Sequence, residues 1–369
     1  MKTKAAVLYE AGSPLVIEEL ELDEPKSGEV LVKIGSAGIC RSDWHLMSGE
    51  NAARLPMVLG HEGSGIVEEV GSGVTVVKPG DKVILSFVAS CGHCYYCNTG
   101  KPNLCDKHMA TSTTMLDGTY RLHKGDQDFT PMGKLACFAQ RSVVPDVSCI
   151  PCPDDLPLEI AAMIGCCVTT GVGAVTITAG VVPGSSVAVV GCGGVGLNVI
   201  QGAKLSGASK IIAVDISEGA LEFAMGFGAT HTVNPKQQDS VQRVKEITNG
   251  LGADYTFEVF GSKETVELAF DMARKGGTAT IVGITPDGQI PEINPSTLVR
   301  QEKTLRGSYY GSARLHSDMP RIAEMYASGQ LALDDMVTHR YHLDEINEAY
   351  QNLVNGDVGR GIITEFDDR

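Results

Sequence analysis

Four cysteines on one short stretch are the first residues that could do chemistry. Cys91, Cys94 and Cys97 recur at intervals of three, and Cys105 follows eight residues later. Thiolates at this spacing match a closed, tetrahedral all-sulfur zinc site with no position left for a substrate. Such a site is structural and would pin a lobe, about 91–105, that lacks a large apolar core of its own. The spacing also overlaps iron–sulfur runs, but no second cysteine cluster or electron-transfer context accompanies it, so zinc is expected. His93 lies inside the loop and is not needed as a ligand. The eleven cysteines are odd in number, unevenly spaced and too sparse for a disulfide scaffold.

A second motif is Gly191-Cys192-Gly193-Gly194-Val195-Gly196, which fits G-x-G-x-x-G with an extra glycine. Glycine makes up 43 of 369 residues, against a usual share near 7%, so the match alone means little. Its context means more. A strand-like run precedes it, a helical stretch follows, and Asp215 ends the next strand nineteen positions after Gly196. Gly191 would permit the tight turn, Gly193 a close approach to pyrophosphate, and Gly196 close helix–strand packing. A helical stretch is expected from Val195 to Leu205, directly after Gly194, and its free N–H groups would face phosphate. Asp215 would accept hydrogen bonds from the ribose and repel a 2′-phosphate, so NAD is expected over NADP. The plainer alternative is a tight turn that binds nothing.

These residues need elements to position them. Up to about Pro153 the chain has short β-branched runs between glycines and prolines, as at 30–34, 65–70 and 82–85, which predict an irregular β-rich domain. From about Val168 the texture alternates. Strands are expected at 186–190, 210–215, 230–233, 254–259 and 277–283, with helices between, which predicts βαβ units and a parallel sheet. Residues 361–366 again read as a strand.

Composition narrows the function classes. A net charge of −15 and a pI near 5.0 argue against nucleic-acid and anionic-membrane partners, which need clustered lysine and arginine. No apolar segment of secretory length follows Met1, so the expected location is cytoplasmic, where thiols stay reduced. Residues 160–203 contain no Asp, Glu, Lys or Arg and are long enough to span a bilayer. Gly180, Pro183-Gly184 and Ser185-Ser186 interrupt them, as buried strands and glycine loops of an α/β core would, so no membrane partner is expected.

Three further cues are bland when taken singly: Cys40 to His45, Gly60-His61-Glu62-Gly63, and Gly165-Cys166-Cys167. Together with Gly65 and Val67 after the Gly-His-Glu motif, the four-cysteine lobe and the glycine loop with Asp215, they carry a resemblance. End to end, the chain resembles the zinc-dependent medium-chain alcohol dehydrogenases. That resemblance implies a catalytic, GroES-like β-rich domain over 1–167, an NAD-binding Rossmann domain over 168–309, and a return to the catalytic domain over 310–369. It implies Cys40, His61 and Cys166 as ligands of a catalytic zinc, hence two zinc ions per chain with the lobe's. Glu62 matches a carboxylate that approaches the metal during ligand exchange, and Asp43 the partner that orients the histidine. Ser42 matches the hydroxyl touching the substrate oxygen, and His45 the outer member of a proton relay. Arg41 matches a pyrophosphate contact, and Arg360 another. Phe87 looks like a substrate-pocket wall; Trp44, the only tryptophan, would narrow the entrance or simply pack.

The implied reaction is hydride transfer between NAD and a primary alcohol, aromatic and allylic ones included. The implied assembly is a homodimer or homotetramer acting on a small molecule. Glutathione-dependent formaldehyde dehydrogenases form the nearest branch with a distinctive substrate, but Met109 stands about where they carry a glutathione-gripping arginine. Their acidic pair is replaced by Glu50-Asn51-Ala52-Ala53-Arg54. Glutathione-adduct oxidation is thereby disfavoured. The chain also resembles bacterial dehydrogenases of mycothiol adducts, so a thiol-carrier substrate stays open. A zinc-free, quinone-type reductase is the other alternative, although such relatives would lack one of the three ligands.

Overall fold

The β-branched runs of the first 150 residues form strands, and two layers of them build one unit of the molecule. The computed structural model describes residues 1–367. That unit comprises Met1–Cys166, Arg314–Gly329 and the chain from Leu333 onward. Strands Lys2–Leu8, Val16–Leu22, Leu122–Lys124, Gln127–Pro131 and Met57–Val58 close a small barrel. A sheet beside it runs Cys149–Pro151, Lys82–Leu85, Gly63–Val70, Glu29–Gly38, Arg360–Glu365 and Val337–His342, with Arg141–Pro145 also paired to Glu29–Gly38. Alternation puts Val30, Val32 and Ile34 into a core with Leu85, Phe138, Tyr350 and Ile363.

This sheet sets up the site. Strand Glu29–Gly38 pairs with Gly63–Val70 through Ala37↔Gly63, so the residues just after the first strand meet those just before the second. Strand Arg360–Glu365 pairs with Glu29–Gly38 through Ile362↔Gly38, returning the end of the chain to the same place.

The second unit comprises Cys167–Ala313 and Gln330–Ala332. Its six strands are all parallel, in the order His231–Val233, Lys210–Val214, Ser186–Val190, Ala253–Glu258, Ala273–Ile281, Thr304–Gly307. Numbered within the sheet this order is 3-2-1-4-5-6, that of doubly wound dinucleotide folds. The expected strand at 277–283 starts earlier, at Ala273, because a bulge lets Ala273 pair with Ala253.

Three boundaries differ from expectation, the first by one residue, since Cys167 falls in the second unit. Residues 310–313 stay with the second unit, where Thr178 is hydrogen-bonded to the hydroxyls of Ser308 (2.9 Å) and Ser312 (2.8 Å). Gln330–Ala332 join it too, with Ala332 N donating to Gln201 Oε1 at 2.7 Å. The uncharged stretch begins inside helix Leu158–Ala179, the one helix among the described residues that is apolar and long enough to cross a bilayer, but 83% of its apolar window is buried within the protein. All eleven cysteines are free thiols.

Candidate functional site

Three elements converge on a buried cluster. Cys40 is the N-cap of the short helix Arg41–Met47 that follows strand Glu29–Gly38. His61 and Glu62 immediately precede strand Gly63–Val70, and Gly38 N donates to Glu62 O at 2.9 Å. Cys166 lies in a π-helical turn, Ile164–Val168, a distortion that often marks functional positions. The preceding Gly165 lets that turn press against strand Lys82–Leu85, since a Cβ there would sit 2.6 Å from the Leu85 carbonyl oxygen. One ligand atom each from Cys40, His61, Glu62 and Cys166 lies within 4.8 Å of the others, and all four residues are buried.

The electrostatics suit a cation. The hydrogen bond from Cys166 holds the Cys40 thiol well below its ordinary pKa, against the effect of burial, with His61 adding to it. Burial opposes a charged His61, but Asp43 and then Cys40 outweigh it and carry the imidazole well above its usual value. Burial pushes Glu62 up to about 7, with Arg360 opposing. Glu62 Oε1 has no hydrogen-bond partner among the described residues, while Oε2 meets the Arg360 guanidinium. Two thiolates and an imidazole, with a carboxylate in reserve, form a donor set that fits Zn²⁺. The buried, unpartnered carboxylate oxygen is what such an ion would face.

Asp43 is fully buried beneath the cluster. It accepts a hydrogen bond from Gly60 N at 2.9 Å, and its Oδ1 and Oδ2 lie 3.3 and 3.2 Å from His61 Nδ1. The ring is thereby fixed with Nε2 left to face a metal. Ser42 Oγ lies 3.8 Å from Cys40 Sγ. Buried His45 sets Nδ1 2.5 Å from Oε2 of the part-exposed Glu50, a partner that no spacing rule would have found. Phe87 meets the His61 ring edge-on, with centroids 5.5 Å apart. Trp44 packs elsewhere. It stacks on Tyr350 at 6.5 Å and, with Met47 and Gln351, lines a cavity of about 280 Å³ that none of the four cluster residues lines. Arg41 opens the helix and is half-buried. Arg360 is buried and meets Glu62, because the returning strand delivers it to the cluster.

The four-cysteine lobe gathers around one helical turn, Tyr95–Asn98, capped by Cys94. The Sγ atoms of Cys91, Cys94, Cys97 and Cys105 lie within 4.8 Å of one another, three of the residues half-buried and Cys105 buried. The backbone N–H of Cys97 helps lower the Cys94 thiol to about 6. Behind the lobe, the buried Lys134 donates to the carbonyl oxygens of His108 (3.2 Å) and Thr111 (2.7 Å).

In the second unit, the glycine loop joins strand Ser186–Val190 to helix Gly194–Leu205. Gly191 has φ +99°, and a Cβ on Gly196 would lie 1.9 Å from the Gly191 carbonyl oxygen, so both positions require glycine. A Cβ on Gly193 would meet nothing within 4 Å, leaving the backbone open to a ligand. Asp215 follows strand Lys210–Val214 and accepts from Cys192 N (2.8 Å) and Ser217 N (2.9 Å), which holds its carboxylate against the loop.

Two family profiles match the chain: an alcohol dehydrogenase GroES-like domain over residues 26–154 and a zinc-binding dehydrogenase over 194–328. The chain is 42% identical over 367 residues to the NDMA-dependent alcohol dehydrogenase of Amycolatopsis methanolica, covering 98% of this chain and 99% of that one. It is 42% identical over 374 residues to the S-(hydroxymethyl)glutathione dehydrogenase of Saccharomyces cerevisiae, covering 98% and 96%. Benzyl alcohol dehydrogenase from Acinetobacter calcoaceticus is similar in structure, with a TM-score of 0.93 and 33% identity over 99% of this chain and 100% of that one.

Proposed function

The chain belongs to the zinc-dependent medium-chain alcohol dehydrogenases, and from that membership we propose that it transfers hydride between a primary alcohol, aromatic or allylic ones included, and NAD, giving the aldehyde. The observation that carries the reading is the buried meeting of Cys40, His61 and Cys166, with His61 braced by Asp43. These three residues would hold one zinc ion with a position open, the lobe's four cysteines a second, and the glycine loop with Asp215 the NAD. When bound, zinc supplies a Lewis acid for the alcohol oxygen and NAD a hydride acceptor.

The chain's own residues supply the rest. The Ser42 hydroxyl accepts the alcohol's proton as it gives up its own, and His45, the outer member of the relay, hands a proton toward solvent through Glu50. Glu62 keeps a carboxylate oxygen beside the three ligands, where it can approach the metal during ligand exchange. Phe87 shields one side of His61 and forms an apolar wall against which a substrate can pack. Asp215 favours NAD over NADP by charge. Asp215→Ala is expected to weaken NAD by about tenfold and narrow the preference over NADP. Unchanged affinities for both, measured by titration, would contradict the assignment.

A thiol-adduct variant is the second reading, favoured by the likeness to the yeast S-(hydroxymethyl)glutathione dehydrogenase. Against glutathione itself stands Met109, exposed on helix Asp106–Ala110 where a carboxylate-gripping arginine would be needed. Rates on benzyl alcohol, ethanol and formaldehyde, each with and without glutathione or mycothiol, separate the two. Turnover of free alcohols without a thiol supports the first reading, and strict dependence on the thiol overturns it.

We further propose a cytoplasmic homo-oligomer that acts on a small molecule, without nucleic-acid or membrane partners. The free thiols and the net charge of −15 support this. So does the edge strand Thr304–Gly307, exposed along its whole length near Val299, 73% exposed. A second copy pairing there would cover it.

A further inference from the structure

We propose that Tyr350 is a positioning residue for the buried metal cluster: its hydroxyl donates to Asp43, extending the brace on His61 to Tyr350–Asp43–His61. The inference rests on the reading of Cys40, His61 and Cys166 as metal ligands. Tyr350 lies on helix Ile346–Asn355, in the last part of the chain, and is fully buried. By pattern it is a core aromatic, in line with Ile346 and Ala349 on the buried side of the helix. Its ring is held on two sides, stacked on Trp44 at 6.5 Å and edge-on to Phe138 at 6.1 Å. The phenol also lies near Asp43, which precedes Trp44 on the short helix.

Packing alone explains the ring and leaves the hydroxyl unexplained. A buried hydroxyl without a partner is costly, and phenylalanine at the same place would avoid that cost. Tyr350 Oη is one of the buried polar atoms without a completed hydrogen bond, and Asp43 Oδ2 is another. One is a donor and the other an acceptor. Asp43 is within side-chain hydrogen-bonding reach of the phenol, and Cys40 and Glu62 are close enough for their charges to be felt. Burial first, and then Asp43, raise the phenol well above its ordinary pKa, so it remains protonated and able to donate. Closing the Tyr350–Asp43 contact satisfies both orphan atoms. The carboxylate is then fixed by Gly60 N, His61 and Tyr350, and the imidazole it orients cannot turn away from the metal.

The test uses the zinc-loaded full-length protein. Tyr350→Phe keeps the ring and removes only the hydroxyl. The rate at which each zinc ion passes to the chelator dipicolinate is followed in wild type, Tyr350→Phe, Asp43→Asn and the double variant. Tyr350→Phe is expected to release one ion about tenfold faster, the size typical of lost outer-shell partners, with the other ion unaffected. The double variant should release it no faster than Asp43→Asn, because Tyr350 acts through Asp43. Wild-type release from Tyr350→Phe, or an additive double variant, would overturn the proposal. If wild type itself holds only the lobe's ion, the ligand reading has failed rather than the role of Tyr350.

Discussion

The two cysteine clusters of the first unit would hold a metal in opposite ways. The lobe draws all four ligands from fifteen consecutive residues around one helical turn, and three of them remain half-exposed. The inner cluster draws its three ligands from positions 40, 61 and 166, with Glu62 beside them, and every one is buried. A local site organises a segment that otherwise has little to fold around. A dispersed site is organised by the fold, through a strand pairing and a π-turn. The metal should therefore matter to stability in the first case and to chemistry in the second.

Histidines show the same contrast. Near the inner cluster Asp43 overcomes burial and keeps His61 protonatable, its pKa well above the ordinary value. Behind the lobe, burial and then Lys134 drive His108 down to about 4, and its Nδ1 accepts from Ala89 N at 3.3 Å. The sign of the shift depends on the neighbour's charge. Lys134 also links the two regions. Its side chain holds the lobe's carbonyls, while the adjacent Gly133 packs so closely that a Cβ there would lie 2.8 Å from Phe87 Cβ.

The comparison can be broken most sharply at Cys166. Cys166→Ser should lower kcat/KM by about 10³-fold or more, the several kcal/mol a Lewis acid contributes, while the melting temperature barely moves. Full activity in that variant would refute its role as a ligand. Cys94→Ser should do the reverse, lowering the melting temperature on the order of 10 °C and opening the segment 91–111 to proteolysis. An unchanged melting curve would show that the lobe does not depend on its metal.

A smaller effect concerns acid. His108 takes up its proton near pH 6.5 when unfolded but only near 4 when folded, so the unfolded state binds more protons between these values. Its contribution is present above pH 6.5 and is lost as pH falls through 4, by up to about 3 kcal/mol. His108→Asn retains an acceptor for Ala89 N and does not titrate. Urea unfolding at pH 6.5 and 4.5 should show a smaller acid loss than in wild type; an equal loss would remove His108 from the account. Smallest is Glu50→Gln, expected to lower turnover roughly tenfold while leaving substrate affinity and zinc content alone. Wild-type turnover would mean that His45 passes its proton elsewhere.

The same division governs what could be read from the residues alone. The lobe was legible because its ligands are neighbours in the chain, and so was the glycine loop, whose strand, turn and helix are contiguous. Strand Ser186–Val190 stands where alternation predicts it, and helix Gly194–Leu205 begins one residue early. Cys40, His61 and Cys166 were joined only by resemblance, because no local pattern encodes the Ala37↔Gly63 register or the π-turn at Ile164–Val168. Glu50, Lys134 and Tyr350 carried no signal, for a lone carboxylate, lysine or helical tyrosine reads as surface or core. Arg360 is named by resemblance, while its contact with Glu62 becomes visible only once the returning strand is placed.

Zinc content tests the central claim most directly. Metal analysis of the purified protein should find about two zinc ions per chain. In Cys166→Ser one ion should be lost with the fold intact, and in Cys94→Ser the other should be lost with the fold weakened. One ion or none in the wild-type protein, or the same ion lost from both variants, would contradict the division between an inner catalytic site and an outer structural one.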